Sequence, residues 1–484
     1  MLDFIKGNIW FILITLNYVI ALSAAITILL KNINPNKTVS YIIILIFFPF
    51  LGIVVYYLFG QEYRKNKIFN RKHILNQHII KSIQQDFEFS EQDVKRVDNY
   101  LDDKVRLVKL LYSSENSPLT LRNDIDILKD GNAKFPRLLQ DLKQAKHHIH
   151  LEYYIVKDDN IGKQILDTLC EKAKEGIEVR LTYDDVGSKI SSKMKRKLTE
   201  TGVSHYPFMP VIFSKFTGKM NYRNHRKIAV IDGLIAYVGG INIEDEYLNN
   251  EKEMYFWRDT HLRIVGEAVK SLQIYFFTTW DFVSNETFKI DKAYFPQTKC
   301  AKNVGLQIAA SGPDTDWANI MEAIFTAITT ADDYVYITTP YFVPNDEIIT
   351  ALVVAAKSGV DVRLIIPKTS DSKIVKYATN SYLENLLQAS VRVFRYKKSF
   401  IHAKTMVVDD IFSTVGTSNM DYRSFNINFE VNAFIYDKEK SKILKQHFLD
   451  DLIECEEVDY QNYVNRSKFM KLVESYCRLW SPLI

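Results

Sequence analysis

The chain has 484 residues, 47% hydrophobic and 25% charged, with a formal net charge of +4. That length exceeds one ordinary core and asks for two or more domains, while the apolar content excludes a disordered chain. A charge so near neutral gives no support to a nucleic-acid partner. Cys170, Cys300, Cys455 and Cys477 show no CxxC pairing and no metal-ligand spacing, so they read as reduced thiols.

In chain order, the first features are two uncharged apolar runs, Ile9 to Leu30 and Val39 to Phe59. About 20 apolar residues in a helix cross a bilayer core of about 30 Å. Residues 1–60 are therefore expected to form a two-helix transmembrane hairpin, turning at Lys31 to Lys37 around Pro35. The first run is too long for a signal peptide, and a second follows at once. Arg64, Lys65, Lys67, Arg71 and Lys72 outnumber Lys31 and Lys37. Cations mark the cytoplasmic side, so both termini and the bulk of the chain are expected there, anchored as a multi-pass protein of the cell membrane. The same cations read equally as contacts to anionic headgroups or as a plain stop-transfer flank.

Residues 61–119 are polar and helix-permissive, and read as a connector. Beyond them an order repeats. Ile149 to Val156 reads as a strand, Ile161 to Lys174 as an amphipathic helix and Gly176 to Leu181 as a buried strand; Tyr334 to Tyr341, Glu347 to Lys357 and Gly359 to Leu364 follow suit. Alternating strands and helices predict an α/β fold, and the two GxxVRL segments make duplication the economical account. Two similar α/β sandwich domains are expected, at 120–290 and 300–484, with a boundary near Lys289 to Asn303.

Each half holds the same word, H-x-K-x-x-x-x-D. His225, Lys227 and Asp232 spell the first copy; His402, Lys404 and Asp409 spell the second. Both reach a glycine and an asparagine at matching offsets, Gly239 and Asn242 in one, Gly416 and Asn419 in the other. Apolar runs, Ile228 to Ile231 and Thr405 to Val408, place the words on strands. Residues two apart on a strand share a face, so each histidine projects with its lysine. Imidazole beside ammonium suits a phosphate, the lysine neutralising charge while the histidine attacks or protonates.

Two facing half-sites can perform a two-step displacement. One histidine forms a phosphohistidine, and the other protonates the leaving alkoxide and then deprotonates the incoming hydroxyl. Lys227, Lys404, Asn242 and Asn419 are expected to hold the non-bridging oxygens. The lysines supply the charge that Mg²⁺ supplies elsewhere, so neither metal nor other cofactor is expected. Asp232 and Asp409 are grouped with the catalytic residues, either touching substrate or buttressing the site through hydrogen bonds. Asp259 is the candidate to orient His225 and Glu430 the candidate to orient His402, against a reading of both as ordinary salt-bridge partners. Tyr206 to Phe213, followed by Lys215, Lys219 and Arg223, reads either as an acyl-chain groove or as a loop and buried strand.

The paired words resemble the HKD motifs of the phospholipase D superfamily, whose members carry them at the interface of two like domains. Gly416-Thr-Ser-Asn-Met-Asp421, Arg423 to Phe425, Asn428 and Glu430, with Val238 to Asn242 and Trp257 to Thr260, look like the bacterial cardiolipin synthases in particular. Pro49, Gly52, Tyr56, Phe59 and Gly60 in the second apolar run and the tail Arg478 to Leu483 are similar to that family too. The resemblance implies transfer of a phosphatidyl group between two phosphatidylglycerol molecules, with membrane lipid as partner and His225 as nucleophile. By the residues alone the two histidines stay interchangeable. A phospholipase D hydrolase and a phosphatidylserine synthase would use the same site, and a nuclease is disfavoured by the hairpin.

Overall fold

The computed structural model describes residues 9–30, 35–53, 104–115, 117–209, 222–249, 256–284, 290–298, 300–313, 315 and 317–481. The chain forms two compact bodies, an N-terminal one and a larger one that holds both HKD words.

In the N-terminal body, Ile9–Leu30 is a single helix of 22 residues. At about 1.5 Å per residue it is long enough for a bilayer core. A second helix, Pro35–Phe47, starts with proline at its first position, where no N–H is missed. Ala21 and Ile28 bury against Leu45, with Ala24, Ala25, Tyr41 and Ile53 around them. The helical ladder carries on past Phe48, whose N–H donates to Ile44 and whose carbonyl accepts from Gly52. The rest of the expected second span, to Phe59, and the cations Arg64 to Lys72 lie outside the described residues.

The larger body contains two sheets of one topology. The first runs Asn123–Leu128, His261–Gly266, Ile235–Gly239, Lys227–Ile231, His148–Tyr153, Glu178–Asp184, Ser204–Phe208. The second runs Gly305–Ser311, Glu430–Tyr436, Phe412–Gly416, Thr405–Val408, Tyr334–Thr338, Asp361–Pro367, Arg392–Tyr396, then adds the edge strand Cys455–Glu457. Strand for strand, the second repeats the first. In each, the HKD strand pairs antiparallel with the strand that opens a parallel trio. The expected strands and helices appear within a few residues of their predicted ends.

Alternation along the HKD strands explains their unbroken apolar runs. Ile228 and Val230 face a core shared with Val407, Val415, Val431 and Ile435 of the second sheet, so the two sheets pack face to face. Ala229 and Ile231 face the opposite way, into a core with the helices Gly131–Gln144 and Asn160–Lys174. A strand buried on both faces reads as continuous hydrophobic sequence rather than as alternation. The connector's described end also departs from a free linker. Its helix Val105–Glu115 sets Leu107 and Leu111 into the outer core of the second sheet, and Thr120 pairs with Leu306.

Candidate active site

Each histidine enters the site on a chain segment paired with the other half. The His225 N–H donates to the Phe429 carbonyl at 2.9 Å, and the Phe429 N–H donates back to Arg223 at 2.9 Å. Its mirror image is a two-residue ladder, Phe400–Ile401 against Trp257–Arg258, continued by the His402 N–H donating to the Arg258 carbonyl at 2.7 Å. The next residue on each partner segment is a carboxylate, Glu430 after Phe429 and Asp259 after Arg258.

That cross-pairing corrects the expected partnership. Glu430 Oε2 lies 3.0 Å from His225 Nδ1, and Asp259 Oδ2 lies 2.7 Å from His402 Nδ1. Each carboxylate serves the histidine of the other half, the reverse of the sequence expectation. Both carboxylates are fully buried. Burial alone would raise their pKa; for Asp259 the charges of Lys404 and His402 overcome it, and for Glu430 those of His225 and Lys227 do. An ionised carboxylate at Nδ1 favours the tautomer that carries its proton there and leaves Nε2 available.

The lysines join the two words electrically. Lys227 Nζ donates to the His225 carbonyl at 2.7 Å, and Lys404 donates likewise to His402. Burial pushes Lys227 down to about 7 and Lys404 to about 8, with Lys404 adding to the depression of Lys227. His402 is pushed down to about 4, first by burial and then by Lys404, and Lys227 contributes as well. His225 is lowered by burial, against the pull of Glu430, with both lysines adding. The structure thus gathers His225, Lys227, His402 and Lys404 into one charge cluster. Burial disfavours the charged forms of all four groups, and an entering anion would favour them again.

The asparagines differ. Asn242 is occupied: its Oδ1 accepts from the Ile155 N–H at 3.2 Å and its Nδ2 donates to the Tyr247 hydroxyl at 3.0 Å. Asn419 is buried with Oδ1 unpartnered among the described residues. Its N–H donates to Ser424 Oγ at 3.2 Å.

Asp232 and Asp409 are not at the histidines, which corrects their grouping with residues that touch substrate and favours the alternative of buttressing through hydrogen bonds. They close the far ends of the HKD strands, five residues or roughly 16 Å of extended chain beyond the lysines. Asp232 accepts the N–H groups of Lys146, His147 and His148 at 2.7–3.1 Å. Asp409 accepts those of Asp332, Asp333 and Tyr334 at 2.9–3.0 Å, and pairs with Lys104 at 2.8 Å. Both adopt φ near +55°, the left-handed region that aspartate tolerates better than most residues. They are strand-start clamps.

Sequence reasoning missed Tyr247 and Tyr154. The Tyr247 hydroxyl is 3.1 Å from His402 Nδ1, and the Tyr154 ring lies edge-on to His225 at 4.9 Å. A signal for Tyr247 existed: it stands five residues after Asn242, and Ser424 stands five after Asn419. The hydroxyl is thus part of the repeat, enlarged in one copy. In the segment Tyr206 to Phe213, Phe208 is buried against Phe282 and Phe429, which favours the packed-core reading for that residue. Residues 210–221, with Lys215 and Lys219, lie outside the described residues.

Known proteins place this geometry. The family described as "Cardiolipin synthase, PLD-like domain" matches residues 138–280 and 324–452, and "Phospholipase_D-nuclease N-terminal" matches 19–61. A cardiolipin synthase of Halalkalibacterium halodurans is 41% identical over 95% of this chain and 91% of its own. The major cardiolipin synthase ClsA of Bacillus subtilis is 39% identical over 98% of this chain and 99% of its own. In fold, the phosphatidylserine synthase of Haemophilus influenzae superposes with a TM-score of 0.60 at 14% identity, over 79% of this chain and 100% of that one.

Proposed function

Since the chain belongs to the cardiolipin synthase family of phospholipase D-like phosphatidyltransferases, we propose that it moves a phosphatidyl group from one phosphatidylglycerol to another, releasing glycerol and giving cardiolipin. The observation that carries this reading is the crossed pair of buried carboxylate–imidazole contacts, one from each half, around two buried lysines.

His225 Nε2 attacks phosphorus, and the bond to the glycerol oxygen breaks as His402 gives that oxygen its proton. The phosphatidyl group is then held on His225 through an N–P bond. A hydroxyl of the second phosphatidylglycerol loses its proton to His402 and attacks phosphorus, and the N–P bond breaks. Both steps conserve atoms and charge, and His402 ends protonated as it began. The bound phosphodiester supplies the negative charge that raises the pKa of His402 and both lysines from their depressed values, so the acid is charged when substrate is present. Lys227, Lys404 and the side-chain NH2 of the buried Asn419, as donors, are the groups we assign to phosphate. Asn242 positions Tyr247, which with Asp259 orients His402.

The apolar N-terminus fits a lipid substrate. We read Pro35–Phe47 and the residues after it as the second arm of a transmembrane hairpin, with the catalytic body on the cytoplasmic side. An anchored site meets phosphatidylglycerol at high local concentration, which favours a lipid hydroxyl over water in the second step.

Product analysis with the purified chain in phosphatidylglycerol vesicles tests the reading. Cardiolipin and glycerol in equal amounts are expected. Phosphatidic acid as the sole lipid product would make the protein a hydrolase instead.

A further inference from the structure

The C-terminal helix Lys468–Arg478 turns an apolar face to solvent. Phe469, Leu472, Tyr476 and Leu479 are 73%, 67%, 59% and 75% exposed. Spaced by three, four and three residues, they fall on one side of a helix as a single stripe. Trp480, 44% exposed, follows directly.

The opposite side is fastened. Glu474 and Cys477 are buried, and Val473 packs on the second sheet's outer core. Arg466 bonds Glu474 and Glu384 at 2.8 Å each, and Lys471 reaches Glu384 at 3.2 Å. At the far end, Arg478 lies 4.5 Å above the Tyr382 ring, and Ser481 Oγ is 3.1 Å from the Tyr382 hydroxyl. The stripe is presented by a held helix and not by a frayed terminus.

Charge selects the occupant. The helix exposes Lys468 and Arg478, its Lys471 is paired with Glu384, and its one acid, Glu474, is turned inward onto Arg466. An apolar stripe rimmed by cations, with no outward acid, is the composition of an interfacial helix at anionic lipid. A stable protein interface needs about 20 residues a side, far more than one short stripe offers. The same chain also carries Trp10–Leu30, long and apolar enough to cross a membrane.

We propose that Lys468–Arg478 lies in the interface of an anionic phospholipid bilayer, with Phe469, Leu472, Tyr476 and Leu479 entering the acyl boundary and the exposed Lys468 and Arg478 meeting lipid phosphates. The catalytic body is then held to the membrane at a second point, beyond the N-terminal anchor.

Hydrogen–deuterium exchange on the full chain tests this in nanodiscs of phosphatidylcholine, alone or with phosphatidylserine. Amides of 468–478 should exchange about threefold or more slowly in the anionic discs, and added salt should reverse part of the gain. The double substitution Phe469→Glu and Leu472→Glu should abolish the difference. Equal exchange of the wild-type helix in both discs overturns the proposal, whatever the variant does. So does protection that appears only with two copies per disc, which would make a second chain the occupant. The readout involves no turnover, so failure of the transfer reaction and failure of this docking are separately visible.

Discussion

The crossed carboxylates make the sharpest prediction. Consider Glu430→Gln and Asp259→Asn, each followed with a phosphatidyl ester whose leaving group is nitrophenolate. That group departs without a proton, so the first half-reaction needs only the nucleophile, while the second still needs a base. Glu430 contacts His225 at 3.0 Å and Asp259 contacts His402 at 2.7 Å. A hydrogen bond to a charged partner contributes about 1.5–3 kcal/mol, roughly ten- to a hundredfold in rate. Glu430→Gln should therefore slow the nitrophenolate burst by that factor. Asp259→Asn should leave the burst within about twofold and slow the steady state by ten- to a hundredfold instead. Rapid-mixing absorbance separates the two phases. A reversed pattern, with the covalent label still on His225, would refute the crossed pairing.

Other outcomes follow from the same geometry. Asp232→Ala removes the acceptor for three backbone N–H groups; it should cost about 1–3 kcal/mol of stability and leave kcat of the folded protein within about threefold. A hundredfold fall in kcat with an unchanged unfolding midpoint would return Asp232 to the chemistry. Lys227 and Lys404, at about 7 and 8, are cationic below those values and neutral above. KM for phosphatidylglycerol should accordingly climb as pH rises past about 8, and a flat KM between roughly pH 6 and 10 contradicts the phosphate role of the lysines. Tyr247→Phe deletes a hydroxyl 3.1 Å from His402 Nδ1, and kcat should drop about tenfold with KM nearly unchanged. A pure KM effect would make Tyr247 a substrate contact rather than a positioning residue.

What the sequence could carry was local or repeated. The duplicated word, the strand runs and the helix periodicity depend on neighbours in the chain, and their elements appear where expected. Partner choice at the site depends on which segments pair across the halves. Phe429 beside Arg223 and Arg258 beside His402 are separated by more than a hundred residues, and no periodicity encodes that. Glu430 and Asp259 were therefore found as residues but assigned to the wrong imidazoles. Asp232 and Asp409 belong to the word, yet strand geometry carries them to its other end. Tyr247 was hidden because its counterpart is the much smaller Ser424, so only the offset from asparagine links them.

The central claim is that imidazoles from two halves act in sequence on one phosphorus, and covalent trapping addresses it directly. Acid quench of the full chain during turnover of phosphate-labelled phosphatidylglycerol should leave an acid-labile label on the peptide containing His225. A chase with unlabelled phosphatidylglycerol should carry that label into cardiolipin, and His225→Ala should abolish it. Label distributed over both histidines, or transfer continuing at full rate with none trapped in any variant, would contradict the account.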